Sequence, residues 1–163
     1  MPVTLPMQAS GSVNRTILGA VGKVDGAIYF FYNVADSTRK ETVVEFFEKM
    51  KREAPFNMQE ITLVTDNHSA HKSRLVRSWL EREGVRLMLL PVYSSTLSPV
   101  ERVWSMFKAR WAKALSKVKV QYRIEGIDRD ISIILDKIRE DLGPSILRAA
   151  DKYIERVNSG LLV

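Results

Sequence analysis

The stretch ITLVTDNHSAHKS, residues 61–73, sets four strand-forming residues ahead of an Asp-Asn-His turn. It is followed by SRLVRSWLEREG (73–84), whose apolar spacing and closing glycine predict a helix, and then by VRLMLLPVY (85–93), an apolar strand stopped by Pro91. Strand, helix, strand implies a parallel pair, because joining parallel neighbours takes a crossover of about a dozen residues. In open sheets with parallel strands, ligands gather outside the carboxyl ends, and Asp66 stands at such an end. A plainer role competes with this one: Asp and Asn bond their own backbone and commonly turn a chain after a strand.

Working outward toward the N-terminus, ADSTRKETVVEFFEKMKREAP (35–55) predicts an amphipathic helix. Ser37 or Thr38 is its expected N-cap, Val43, Val44, Phe46, Phe47 and Met50 form its apolar side, and Pro55 lies beyond its end. Before it, RTILGAVGKVDGAIYFFYNVA reads as two strands joined at Val24-Asp25-Gly26-Ala27, the Asp-Gly pair being a strong hairpin signal. Residues 1–14 are expected to be a loose lead-in. Toward the C-terminus, a basic helix is expected from Pro99 to about Val118, and DRDISIILDKIREDLG and PSILRAADKYIERVN add two more, separated by Gly143-Pro144. The expectation is one domain over residues 1–163, with its core in 15–118 and C-terminal helices in 119–163.

Composition bounds the chemistry. The chain has 163 residues, 45% of them hydrophobic, enough to bury a core without staples. It has no cysteine, which excludes disulfides, thiol catalysis and Cys-based zinc sites and makes a reducing intracellular setting the expectation, the nucleus or a bacterial cytoplasm. No apolar run reaches the roughly 18 residues of a membrane span. A net charge of +6 favours a polyanionic partner such as DNA or RNA, since neutralising phosphates releases counterions.

A second acid bears on Asp66. In LPVYSSTLSPVERVWSMFK (90–108), Glu101 stands at the start of the helix that follows the second parallel strand, with 34 residues between it and Asp66. Both carboxylates are therefore placed to converge at one sheet edge. Ser98-Pro99-Val100-Glu101 is also a capping-box pattern, which on its own accounts for the glutamate.

The strand running into TDNHSAH, the apolar strand ending in LPVYSS, the word LSPVERVW with Lys108 behind it, and the 34-residue gap occur together and in order. In these features the sequence resembles the DDE transposase superfamily, in particular its mariner-like branch and related bacterial insertion-sequence transposases, over about residues 15–118. The resemblance implies an α/β, RNase H-like fold: a mixed sheet flanked by helices, here with extra C-terminal helices. It also implies three acids that hold two Mg2+ or Mn2+ ions for phosphodiester cleavage and strand transfer. Hard cations prefer carboxylate oxygen, and a pair of them can activate the attacking oxygen and stabilise the leaving one. Asp66 matches the middle acid and Glu101 the last. His71 falls where the family often has a histidine after the Asp-Asn pair, His68 matches a less fixed position, and Asn67 is read as shaping the turn.

The sequence also departs from the family. The first acid belongs on an opening strand ahead of the hairpin, and MPVTLPMQASGSVN contains no Asp or Glu. Asp25, the earliest acid, is placed in the hairpin turn. The proline-acid-leucine-asparagine word before Pro99 is altered to Ser95-Thr96-Leu97-Ser98, and an N-terminal helix-turn-helix is expected to be absent. Two functions follow: a DDE-type core with its first ligand absent, or a catalytically silent derivative serving as a nucleic-acid-binding or structural subunit of a larger complex or homodimer.

The basic helix carries Arg102, Lys108, Arg110, Lys113 and Lys117, with Trp104, Phe107 and Trp111 interleaved three or four apart. That spacing makes the aromatics a buried stripe and leaves the cations to track a phosphate backbone or to face solvent. In the last two helices, Ile131, Ile134, Leu135 and Ile138, then Ile146, Leu147, Ala150, Tyr153 and Ile154, form apolar stripes for the core or for a partner.

Overall fold

The computed structural model describes residues 15–91, 98–117 and 124–158. It opens with the expected hairpin: β1 (Thr16–Val24) pairs antiparallel with β2 (Ala27–Ala35), Val24 opposite Ala27. The two-residue turn places both Asp25 and Gly26 at positive φ, 50° and 81°. This is the twist that matches the strands, and an Asp-Gly pair tolerates it. Asp25 is exposed there, as the sequence reading placed it.

Helix α1 (Lys40–Glu53) follows, burying Val43, Phe46, Phe47 and Met50. Its N-cap is Arg39 rather than Ser37 or Thr38. The backbone N–H of Arg39 donates to Thr42 Oγ1 at 2.9 Å, and Ser37 instead accepts from the Arg39 guanidinium at 2.7 Å. Strand β3 (Thr62–Thr65), helix α2 (Arg74–Glu83) and strand β4 (Arg86–Leu89) form the anticipated parallel crossover, in register Thr62 to Arg86 through Thr65 to Leu89. Ser73 caps α2 through Oγ and Gly84 closes it.

Helices α3 (Val100–Lys117), α4 (Ile124–Glu140) and α5 (Pro144–Asn158) complete the chain. Trp104, Phe107 and Trp111 are all buried, as their spacing required. In α4, Ile127, Ile131, Leu135 and Ile138 recur every three or four residues and are at most 1% exposed, packed with Phe30 and Tyr32 of β2. Four such side chains at ~2 kcal/mol each represent a gross stabilisation comparable to a whole domain's net stability. α4 is therefore part of the core. A second cluster joins Leu18 and Phe31 of the hairpin to α1, α2 and Leu63 of β3.

The mixed strand directions are those expected, distributed over two ladders. Among the described residues β1 pairs only with β2, and β3 only with β4. No helix of the described residues is long and apolar enough to cross a membrane. The expectations for residues 1–14, for Tyr93 to Leu97 and for the final GLLV fall outside the described residues.

Candidate functional site

Asp66 is the first residue beyond β3 and is partly buried. Two donors hold it. His71 Nδ1 lies 2.9 Å from Asp66 Oδ1, and the backbone N–H of His68 donates to the same oxygen at 3.3 Å. The bond from His71 is the main reason that the Asp66 carboxyl is held low, at about 2. Partial burial opposes it, and the His68 amide adds a smaller push in the same direction.

The two histidines have different roles. His68 Nδ1 accepts from the backbone N–H of Ala70 at 3.2 Å and so caps the short 3-10 turn Ser69–Lys72. That turn brings His71 back toward Asp66. Asn67 is exposed between them, consistent with shaping the turn.

Glu101 lies in the first turn of α3, half-buried. Its backbone N–H donates to Ser98 O at 3.0 Å. Among the described residues neither the Ser98 hydroxyl reaches the Glu101 amide nor the Glu101 carboxylate the Ser98 amide, so the capping box is not made and the carboxylate is available. Asp66, His71 and Glu101 all line one cavity of about 560 Å3, with Asp25 of the hairpin turn and Glu60 elsewhere on its lining. The two acids that the sequence separates by 34 residues thus share one wall of space.

The donor set suits one cation. Mg2+ is commonly held by one or two carboxylates plus water and substrate phosphate, and Asp66 and Glu101 supply that much. A pair of ions needs a bridging ligand as well. Among the described residues no group of three or more His, Asp or Glu side chains could hold a metal.

The cations of α3 do not act as a uniform row. Arg110 pairs with Asp141 at 2.8 Å and Arg102 donates to Ser145 Oγ at 3.3 Å, tying α3 to the helices after it. Lys108 and Lys113 are exposed, while the Lys117 side chain lies outside the described ones. The sequence reading missed that α5 contributes Ala150, Tyr153 and Ile154 to the cavity wall. Their only sequence signal is an apolar stripe, which is silent about what it covers.

Comparison with known proteins follows the same line. Residues 5–123 match the family described as DDE superfamily endonuclease. Over 45 residues, 27% of this chain and 13% of the relative, the sequence is 49% identical to an uncharacterised 39 kDa protein of insertion element IS630 from Shigella sonnei. Among solved structures, the catalytic domain of Mos1 mariner transposase superposes with a TM-score of 0.52 at 17% identity, covering 86% of this chain and 77% of that one. A chain of a simian T-cell lymphotropic virus intasome superposes at 0.53 with 13% identity, covering 83% of this chain and 52% of that one. At such identities the likeness is one of fold, and that fold is the RNase H-like arrangement anticipated from the sequence.

Proposed function

Because this chain belongs to the DDE superfamily endonuclease family, we propose that it is a transposase-type catalytic core whose Asp66 and Glu101 hold a divalent cation against a DNA phosphate. The observation that carries this reading is that both carboxylates line one cavity, one beyond the end of β3 and the other at the start of α3. When bound, Mg2+ or Mn2+ supplies Lewis-acid activation of a phosphodiester and of the attacking oxygen. The protein's own part is positional. The hydrogen bond from His71 holds the Asp66 carboxylate in place, and the start of α3 holds Glu101 on the same cavity. The exposed Lys108 and Lys113 follow Glu101 along α3, where they would contact the DNA backbone without reading sequence. Asp66 and Glu101 supply carboxylates for one cation, so a two-cation mechanism of strand cleavage and transfer requires a further ligand.

Mn2+ titration by isothermal calorimetry tests the assignment. One weak site is expected, weakened at least ~tenfold in Asp66→Asn and in Glu101→Gln, with circular dichroism unchanged. Equal binding by both variants would remove the acids from the site.

A further inference from the structure

Between Asn67 and Leu80 the chain carries Lys72, Arg74 and Arg77 and no Asp or Glu, so half of the net charge of +6 falls within six residues. All three side chains are exposed, and none makes a hydrogen bond or ion pair among the described residues. Neighbouring cations are used differently. Lys51 and Arg82 pair with Glu83, and Arg102 and Arg110 are tied to the helices after α3. Arg74 and Arg77 also stand at the start of α2, whose first turn holds no acid. Like charges one turn apart, at the positive end of a helix, cost stability until an anion offsets them.

The fold sets these cations beside the cavity acids. α2 begins at the carboxyl end of β3, and the turn that precedes it is fastened to Asp66 through His71, at 2.9 Å. Lys72 follows that histidine directly, and Arg74 comes two residues after it. α2 packs with α1 on the Leu18 and Phe31 face of the hairpin, whereas α3 packs on the opposite, Ile17 and Phe30 face. The patch therefore flanks the site on the side away from Lys108. Lys108 itself lies about 10 Å of helix beyond Glu101, so the cations of α3 recede from the acids while Lys72 and Arg74 stay at their edge.

We propose that Lys72, Arg74 and Arg77 form a rail that holds the phosphates of one strand of a DNA duplex beside Asp66, without reading its sequence. From Lys72 to Arg77 the chain rises by about 8 Å, the span of about three phosphates of one strand. No aromatic ring is exposed among the three: Trp79 is 1% exposed and donates to Glu48 at 2.6 Å. Stacking on bases, which holds a single strand, has no platform here, and exposed cations alone suit a duplex backbone. The choice of DNA over an acidic protein surface rests on the proposed cation site at Asp66 and Glu101. The phosphate contact itself needs no metal.

The test is binding of the full chain to a fluorescein-labelled duplex of about two helical turns and arbitrary sequence, in chelator-treated buffer, followed by anisotropy over a salt series. Lys72→Gln, Arg74→Gln and Arg77→Gln together should weaken binding roughly tenfold or more and flatten the slope of log affinity against log salt by about two to three. Arg77→Gln alone should flatten it by about one. A control with the same loss of charge, Lys137→Gln, Arg148→Gln and Lys152→Gln on α4 and α5, should change the slope by less than about half a unit. The patch variant should also match or exceed the parent's urea midpoint, because these side chains hold no part of the fold. Equal flattening by the two triple variants would reduce the rail to net charge and overturn it, as would a lowered urea midpoint. Tighter binding of a single strand of the same length, or equal patch-dependent binding of polyglutamate, would overturn the duplex as its ligand. Patch-dependent duplex binding in a chain that takes up no Mn2+ would sink the cation site and leave the rail standing.

Discussion

At Asp66, one oxygen already accepts two hydrogen bonds, and the same carboxylate is assigned a cation. The bond from His71 is what moves its acidity, so His71→Ala should return the Asp66 carboxyl from about 2 toward its ordinary 3.8. A carboxylate whose folded pKa is depressed adds stability above its unfolded value, and that stability is lost as pH falls through the folded one. The window for Asp66 is therefore about pH 4 down to about pH 2. Because the side chain is 40% exposed, the contribution is screened to about 1 kcal/mol. Urea unfolding of the variant should be weaker by that amount near pH 6 and equal to the parent near pH 2, and a carboxyl titration followed by NMR should show the upward move. An Asp66 still titrating near 2 without His71 would reassign the cause to the His68 amide. The polar word Asp66-Asn67-His68 was legible in the sequence as a turn beyond a strand end, but its division of labour was not. Whether a histidine ring caps a turn or holds a carboxylate depends on which way it rotates, and spacing carries no trace of that.

At the scale of elements, the position of Glu101 depends on how closely α3 approaches β1. That approach is made at Gly19, where an added Cβ would stand 2.6 Å from Cη2 of Trp104. Trp104 is 2% exposed and sits one helical turn beyond Glu101, so it has no open space to retreat into without moving the helix. Gly19→Ala should therefore destabilise the fold by about 1–3 kcal/mol through overpacking, measured as a lower urea midpoint. In variants that still fold, it should also weaken the Mn2+ binding that requires Glu101. Unchanged stability would show that the indole tolerates a methyl group and that α3 is not seated by this contact. Element identities were the most legible part of the fold, since hairpin, crossover and aromatic stripe each follow from a local pattern. Their ends were less so. The cap of α1 fell on Arg39 because Thr42 satisfied its amide from within the helix, and α4 begins at Ile124, ahead of the stretch DRDISIILDKIREDLG.

At the scale of the whole molecule, the two ladders and the two acids belong to one arrangement. The cavity that separates β1 from β3 is the cavity into which Asp66 and Glu101 face. That Asp66 and Glu101 approach one place was legible, because a strand end and the helix start after a parallel crossover fall at one sheet edge. The space between them was not, because it depends on how α1 and α5 close over it, and those helices lie far apart in the sequence. Because the two acids share that space, Asp66→Asn combined with Glu101→Gln should weaken Mn2+ by less than the product of the two single losses, since two ligands of one ion are not independent. Calorimetric titration of the parent, both single variants and the double variant measures the coupling. Losses that simply multiply would place the two carboxylates on separate ions.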